Sequence, residues 1–259
     1  MRRALPIALG CAIVAALVYV LALHTTAGAR ADATVLDAFA RLRSDNVDAL
    51  AADLVRFLDP APYLLLAAAL AAIALARGLP RHAVVVAAVL GGAALTSQLL
   101  KPLLAGPRPW ETPSASLIGD GSWPSGHTTA AVALALCVVL VLPSRPVRAA
   151  AAAFALAVPC CLVLLGTHWP SDAVGGFCVA GAWFVLGVAA LPHVRVPAVS
   201  RRALARLVVT GAAAVLVAAA TRPAGTAAFV QDHTTVAAAA VALAAACAVL
   251  VAGAPLARR

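Results

Sequence analysis

Residues 82–100 read HAVVVAAVLGGAALTSQLL, nineteen positions without a formal charge at neutral pH, closed at the next position by Lys101. At about 1.5 Å per residue this run makes a helix of about 28 Å, close to the roughly 30 Å of hydrocarbon in a bilayer. It has no polar stripe to turn toward water, as a surface helix of a soluble protein would have. Working outward, similar apolar runs recur at 5–23, 62–76, 127–142, 149–166, 173–191, 207–221 and 234–256. The expectation is an all-α, polytopic membrane helix bundle with eight transmembrane helices. The second and seventh runs are short and rich in Ala.

Composition agrees. Of 259 residues, 64% are hydrophobic and 11% charged, and the mean hydropathy is +1.00. Soluble domains are about 45–50% apolar and about 25% charged, so a water-soluble globule is excluded, and so is a disordered chain. A net charge of +9 raises the question of nucleic acid, but such binding needs a basic face or stripe. Here the basic residues are scattered between apolar runs, and no nucleic-acid partner is expected.

Charge also orients the bundle, because short cytoplasmic loops collect Lys and Arg. With the N-terminus in the cytoplasm, twelve of the 19 basic residues fall inside, and all ten acidic residues fall outside. Both ends are then cytoplasmic. Arg2 and Arg3 before the first run, and Ala27-Gly28-Ala29 after it, raise a cleaved leader as a rival. The nineteen-residue apolar run exceeds a leader's usual 7–15 or so, which favours an uncleaved anchor. The outer segment 32–58 spaces Val35, Leu36, Phe39 and Leu42, then Leu50, Leu54, Phe57 and Leu58, near helical period. It suits either an amphipathic helix on the outer membrane surface or a soluble helical cap packed on the bundle. The six cysteines all fall in apolar runs without metal-ligand spacing and read as small packing residues.

Three outer stretches between 101 and 172 carry chemistry. KPLLAGPRP (101–109) offers Lys101, the one lysine against eighteen arginines, and then Arg108. PSGH (124–127) places Ser125, Gly126 and His127 at the start of an apolar helix, where free N–H groups suit an anion. HWPSD (168–172) places Asp172 in a first helical turn, four residues after His168 and able to reach back to it. A carboxylate partner orients a histidine and stabilises it as a cation. The charge-based topology brings all three stretches to one face. Two cations, two histidines, one carboxylate and two helix N-termini can there hold a phosphate and transfer a phosphoryl group. Trp110, Trp123 and Trp169 beside these stretches suit anchoring at headgroup depth. His24, His82, His193 and His233 lack convergent partners.

The three stretches, in this order, resemble the signature of the type 2 phosphatidic acid phosphatases (PAP2): K-x6-R-P at Lys101, Arg108 and Pro109; P-S-G-H at 124–127; and the H-x3-D half of the third motif at His168 and Asp172. The resemblance implies a six-helix phosphatase core over 1–206, with two additional transmembrane helices in 207–259. It also implies catalysis without metal or other cofactor. His168 would attack phosphorus to form a phosphohistidine, Asp172 would stabilise its charge, and His127 would protonate the leaving oxygen. Lys101, Arg108, Ser125 and Gly126 would hold the phosphoryl oxygens. One departure stands out: where the family has Ser-Arg, this chain has Cys161 and Leu162. Losing a charge-assisted donor costs roughly two orders of magnitude in rate. Arg222 is a candidate substitute.

The expected substrate is a lipid phosphate or diphosphate, such as a polyprenyl diphosphate, phosphatidate or phosphatidylglycerol phosphate, held among membrane lipids. The alternative is a catalytically degenerate lipid-phosphate-binding protein or a transporter. The Ala and Arg bias suits a GC-rich bacterium, so the expected location is the cytoplasmic (inner) membrane with the active site facing outward. The oligomeric state is left open.

Overall fold

The computed structural model describes residues 4–190, all within a compact unit spanning Met1–Val196. The predicted helices at 207–221 and 234–256, with Arg222 and Cys247, lie outside the described residues. Within them the chain forms eight α-helices: α1 (Ala4–His24), α2 (Thr26–Ala40), α3 (Asp45–Arg56), α4 (Pro60–Ala76), α5 (Pro80–Leu103), α6 (Gly126–Val141), α7 (Arg145–Leu164) and α8 (Pro170–Ala190). A short 3₁₀ turn covers Pro113–Ala115 in the loop between α5 and α6. Helices α1 and α4 to α8 coincide with the first six apolar runs. Helices α2 and α3 come from the outer segment.

Local chemistry sets the boundaries. Pro60, Pro80 and Pro170 open their helices at positions where the missing N–H costs nothing. Thr25, Ser44 and Ser125 cap α2, α3 and α6 with side-chain oxygens that accept from the N–H groups of Gly28, Val47 and Thr128. Helix α6 stops at Leu142, just before Pro143.

Helix α6 lies at the centre, packed against α4, α5, α7 and α8. It is apolar all round and is correspondingly buried from Thr128 through Ala135. The core joins Val85, Val86 and Val89 of α5 to Cys137 and Val141 of α6, Val158 and Leu162 of α7, and Val179 and Ala180 of α8. Outside this core the apolar surface faces outward: Leu5, Leu9, Ile13, Leu17 and Leu21 form an exposed stripe along α1. Such a stripe would be a liability in water and is ordinary against lipid tails. Helices α1, α5, α7 and α8 are long and apolar enough to cross a bilayer, and α3 with α4 makes a further candidate bent by 53°. Helix α6 is apolar but shorter, at 16 residues. The chain is a multi-pass α-helical membrane protein.

The outer segment does not lie free. Ala33 and Leu36 of α2 pack with Val163 and Trp169, so this helix is a cap on the bundle. Helix α3 packs along α7, with only Ala51 buried. At one point the packing of α8 on α6 requires glycine: a Cβ at Gly176 would come within 2.9 Å of the Ser125 carbonyl and 3.0 Å of the Thr129 nitrogen. That close approach brings the start of α6 beside the start of α8.

Candidate active site

The third motif folds as its spacing predicts. Asp172 sits in the first turn of α8, fully buried, and its Oδ2 accepts the Trp169 backbone N–H at 3.0 Å. The same oxygen lies 3.1 Å from Nδ1 of His168, itself buried in the loop before α8. A carboxylate only accepts, so the proton between them belongs to Nδ1, and the neutral imidazole presents a lone pair at Nε2.

The first motif joins it. Arg108 donates from Nη2 to Asp172 Oδ1 at 2.6 Å, while its Nη1 donates to Ser171 Oγ at 3.0 Å. The guanidinium lies over the Trp169 ring, 4.7 Å from its centroid. Nη1 also donates to Asp32 Oδ2 at 2.6 Å. Asp32, on α2, is a residue the sequence reading counted only among the outer acids. Its Oδ1 accepts the Ser171 backbone N–H at 2.9 Å, and its Oδ2 accepts the Ser171 hydroxyl. Burial pushes the Asp32 carboxyl up to about 6, with Asp172 adding to the rise, while Arg108 and Ser171 pull the other way. A signal for it existed: Asp32 lies four residues before Leu36 and one before Ala33, on the apolar face of α2.

The second motif links to both. The Ser125 N–H donates to the Asp172 carbonyl at 3.0 Å, and Ser125 Oγ caps α6. A Cβ at Gly126 would lie 3.2 Å from Gln98 Nε2 and 3.9 Å from Lys101 Nζ, so the end of α5 brings its ammonium beside the start of α6. A cation beside a helix N-terminus is an arrangement that favours an anion. His127, about one-third exposed, has Nε2 3.4 Å from Asp59 Oδ1, and Lys101 and His168 are its electrostatic neighbours. Asp59, which precedes α4, is a second partner that the sequence reading did not single out.

All seven predicted site residues therefore gather at one end of the bundle. The departure in the third motif is visible too. Leu162 is buried in the apolar core, and its carbonyl accepts from both the N–H and the hydroxyl of Thr167. Trp123 and Trp169 are buried inside the protein and not free to anchor at an interface. Trp110 is exposed, with Arg30 stacked 4.2 Å from its centroid. A cavity of about 250 Å³ adjoins Arg108, lined among others by Trp110, Thr112, Asp120, Ser122 and Trp169, while neither histidine lines it. Among the described residues no group of three or more His, Cys, Asp or Glu is gathered as a metal ion would need.

The fold is that of a polytopic membrane protein and is similar to a transmembrane PAP2 fold. A PAP2-type phosphatidylglycerolphosphate phosphatase from Bacillus subtilis shares the fold with a TM-score of 0.57 at 22% identity, over 75% of this chain and 100% of that one. Residues 82–195 match the model of the PAP2 superfamily, which bears out the resemblance carried by the three motifs. No curated protein matches the chain.

Proposed function

We propose that the protein is an integral membrane lipid phosphatase that hydrolyses a phosphomonoester or diphosphate through a phosphohistidine. The observation that carries this reading is the single hydrogen-bonded unit in which Asp172 holds both His168 and Arg108 and, through its carbonyl, the Ser125 N–H. Three separate sequence motifs thus share one carboxylate residue, with Lys101 close by.

The geometry supports the following steps. His168 Nε2 gives its lone pair to phosphorus, and the bond from phosphorus to the lipid oxygen breaks as the new P–N bond forms. The imidazole becomes positively charged, and Asp172 stabilises it across the Nδ1–H. His127 protonates the departing oxygen. With Nε2 facing Asp59, its Nδ1 is the nitrogen left for that proton. Water then attacks phosphorus, His127 takes the water's proton, the P–N bond breaks and phosphate leaves. Lys101, Arg108, Gly126 and the start of α6 neutralise charge on the phosphoryl oxygens, and the Ser125 hydroxyl adds a donor.

The substrate class is an amphiphile whose tails stay in lipid while its phosphate reaches the loops. Polyprenyl diphosphate, phosphatidate and phosphatidylglycerol phosphate all qualify, the last being what the Bacillus subtilis protein is named for. The separation of acids from most basic residues along the chain supports a site on the outer face of a bacterial cytoplasmic membrane. In this reading 1–206 is the phosphatase core and 207–259 two further transmembrane helices, with Arg222 a candidate substitute for the missing motif arginine.

Leu162 favours a second reading, a lipid-phosphate binder or transporter without turnover, because no arginine occupies that motif position. Phosphate release from a lipid phosphate and a lipid diphosphate, using the purified protein in detergent, separates the two. The phosphatase reading expects release from at least one. Retained binding with no release from either would favour the second reading.

A further inference from the structure

The outer helix α2 places one carboxylate inside the phosphate site. Asp32 is almost fully buried, and both of its oxygens are engaged: Oδ1 with the Ser171 N–H in the first turn of α8, Oδ2 with Arg108 Nη1 and the Ser171 hydroxyl. The charged groups facing it are Arg108, from the loop after α5, and Asp172, from α8.

A guanidinium has five N–H donors in a fixed plane. In Arg108, three are committed to Asp32, Ser171 and Asp172, and one face is covered by Trp169. The Nε–H and one Nη2–H are left over, two donors of the kind that grip an oxyanion in a fork. Arg108 is thus fixed at Nη1 by α2 and α8 together, and at Nη2 by the residue that also holds His168.

A different reading of the same contacts is that Asp32 stands where the phosphate should go and must be displaced. The bonds argue against that. Asp32 is tied to the α8 backbone as well as to the guanidinium, and a phosphate that took Arg108 from it would leave a buried carboxylate without its cation.

We propose that Asp32 is a positioning residue of this site: it locks Arg108 Nη1 to the start of α8, so that the uncommitted edge of the guanidinium is preset toward the phosphoryl group on His168. The cap helix α2 is then a working part of the site. This rests on the phosphatase reading for its reaction, but the preset edge is testable without turnover.

The test uses the full-length protein in detergent with Asp32→Asn and Asp32→Glu. Asn keeps the volume but puts an N–H where an acceptor is needed, whereas Glu keeps the charge. With phosphatidate as probe, Asp32→Asn is expected to lower kcat about 10- to 100-fold with KM changed less than threefold or so, and Asp32→Glu to recover part of the loss. In parallel, orthovanadate, a phosphoryl-transfer mimic, should raise the melting temperature of the wild type and fail to do so in Asp32→Asn. Equal or tighter vanadate binding by Asp32→Asn, or a higher kcat, would overturn the positioning role and favour displacement. A wild type that binds vanadate but releases no phosphate would sink the phosphatase reading alone, and the vanadate comparison would still decide the role of Asp32.

Discussion

Asp172 divides its carboxylate between two partners: Oδ2 faces His168 Nδ1 at 3.1 Å, and Oδ1 accepts from Arg108 Nη2 at 2.6 Å. One side chain therefore fixes the orientation of the proposed nucleophile and of the proposed phosphate-binding cation.

The amide of Asp172→Asn cannot accept from both, because one of its two ends carries hydrogens. We expect phosphate release to slow about 10²- to 10⁴-fold, the scale seen when a catalytic histidine loses its orienting carboxylate. Steady-state kinetics, with the melting temperature as a control for folding, checks this.

Lys101 Nζ lies beside Gly126 at the start of α6. In Gly126→Ala the new Cβ would press on Gln98 Nε2 at 3.2 Å and touch the ammonium at 3.9 Å. Activity should fall about tenfold, equivalent to roughly 1.4 kcal/mol, with the protein still folded. Lys101→Ala should fall at least as far, and unchanged rates in both would remove Lys101 from the site.

Asp32 predicts a pH dependence with a definite sign. Its carboxyl is raised to about 6, so it is ionised above that pH and able to hold Arg108, and neutral below it. The rate should therefore fall as pH drops through about 6. Asp32→Asn should be slower above about pH 6, approach the wild type below it, and lack that limb in its pH–rate profile.

Leu162 sits in the apolar core, 2% exposed, so restoring the family arginine there has a structural cost. Burying an unpaired cation destabilises by several kcal/mol. We expect Leu162→Arg to lower the melting temperature without raising the rate. Strong activation would instead show that the missing cation limits the native protein.

The sequence carried the membrane helices and the three motifs well, because uncharged runs near twenty residues long and short gapped patterns are local signals. The starts of α6 and α8 were legible from Ser125 and from Pro170 with Asp172 for the same reason. Helix α2 was harder: Asp32 and Trp169 meet through tertiary packing, and periodicity could not separate a cap from a surface helix. Asp59 was missed because its partner His127 lies 68 residues away. Trp123 and Trp169 were expected at headgroup depth from the preference of Trp for the membrane interface, and the bundle buries them.

The most direct measurement traps the covalent intermediate. Brief exposure of the purified protein to a lipid substrate carrying a labelled phosphoryl group, followed by alkaline quench and peptide mapping, should place an acid-labile label on His168 and none on His168→Ala, which should also release no phosphate. Label on another side chain, or turnover that survives His168→Ala, would contradict the account.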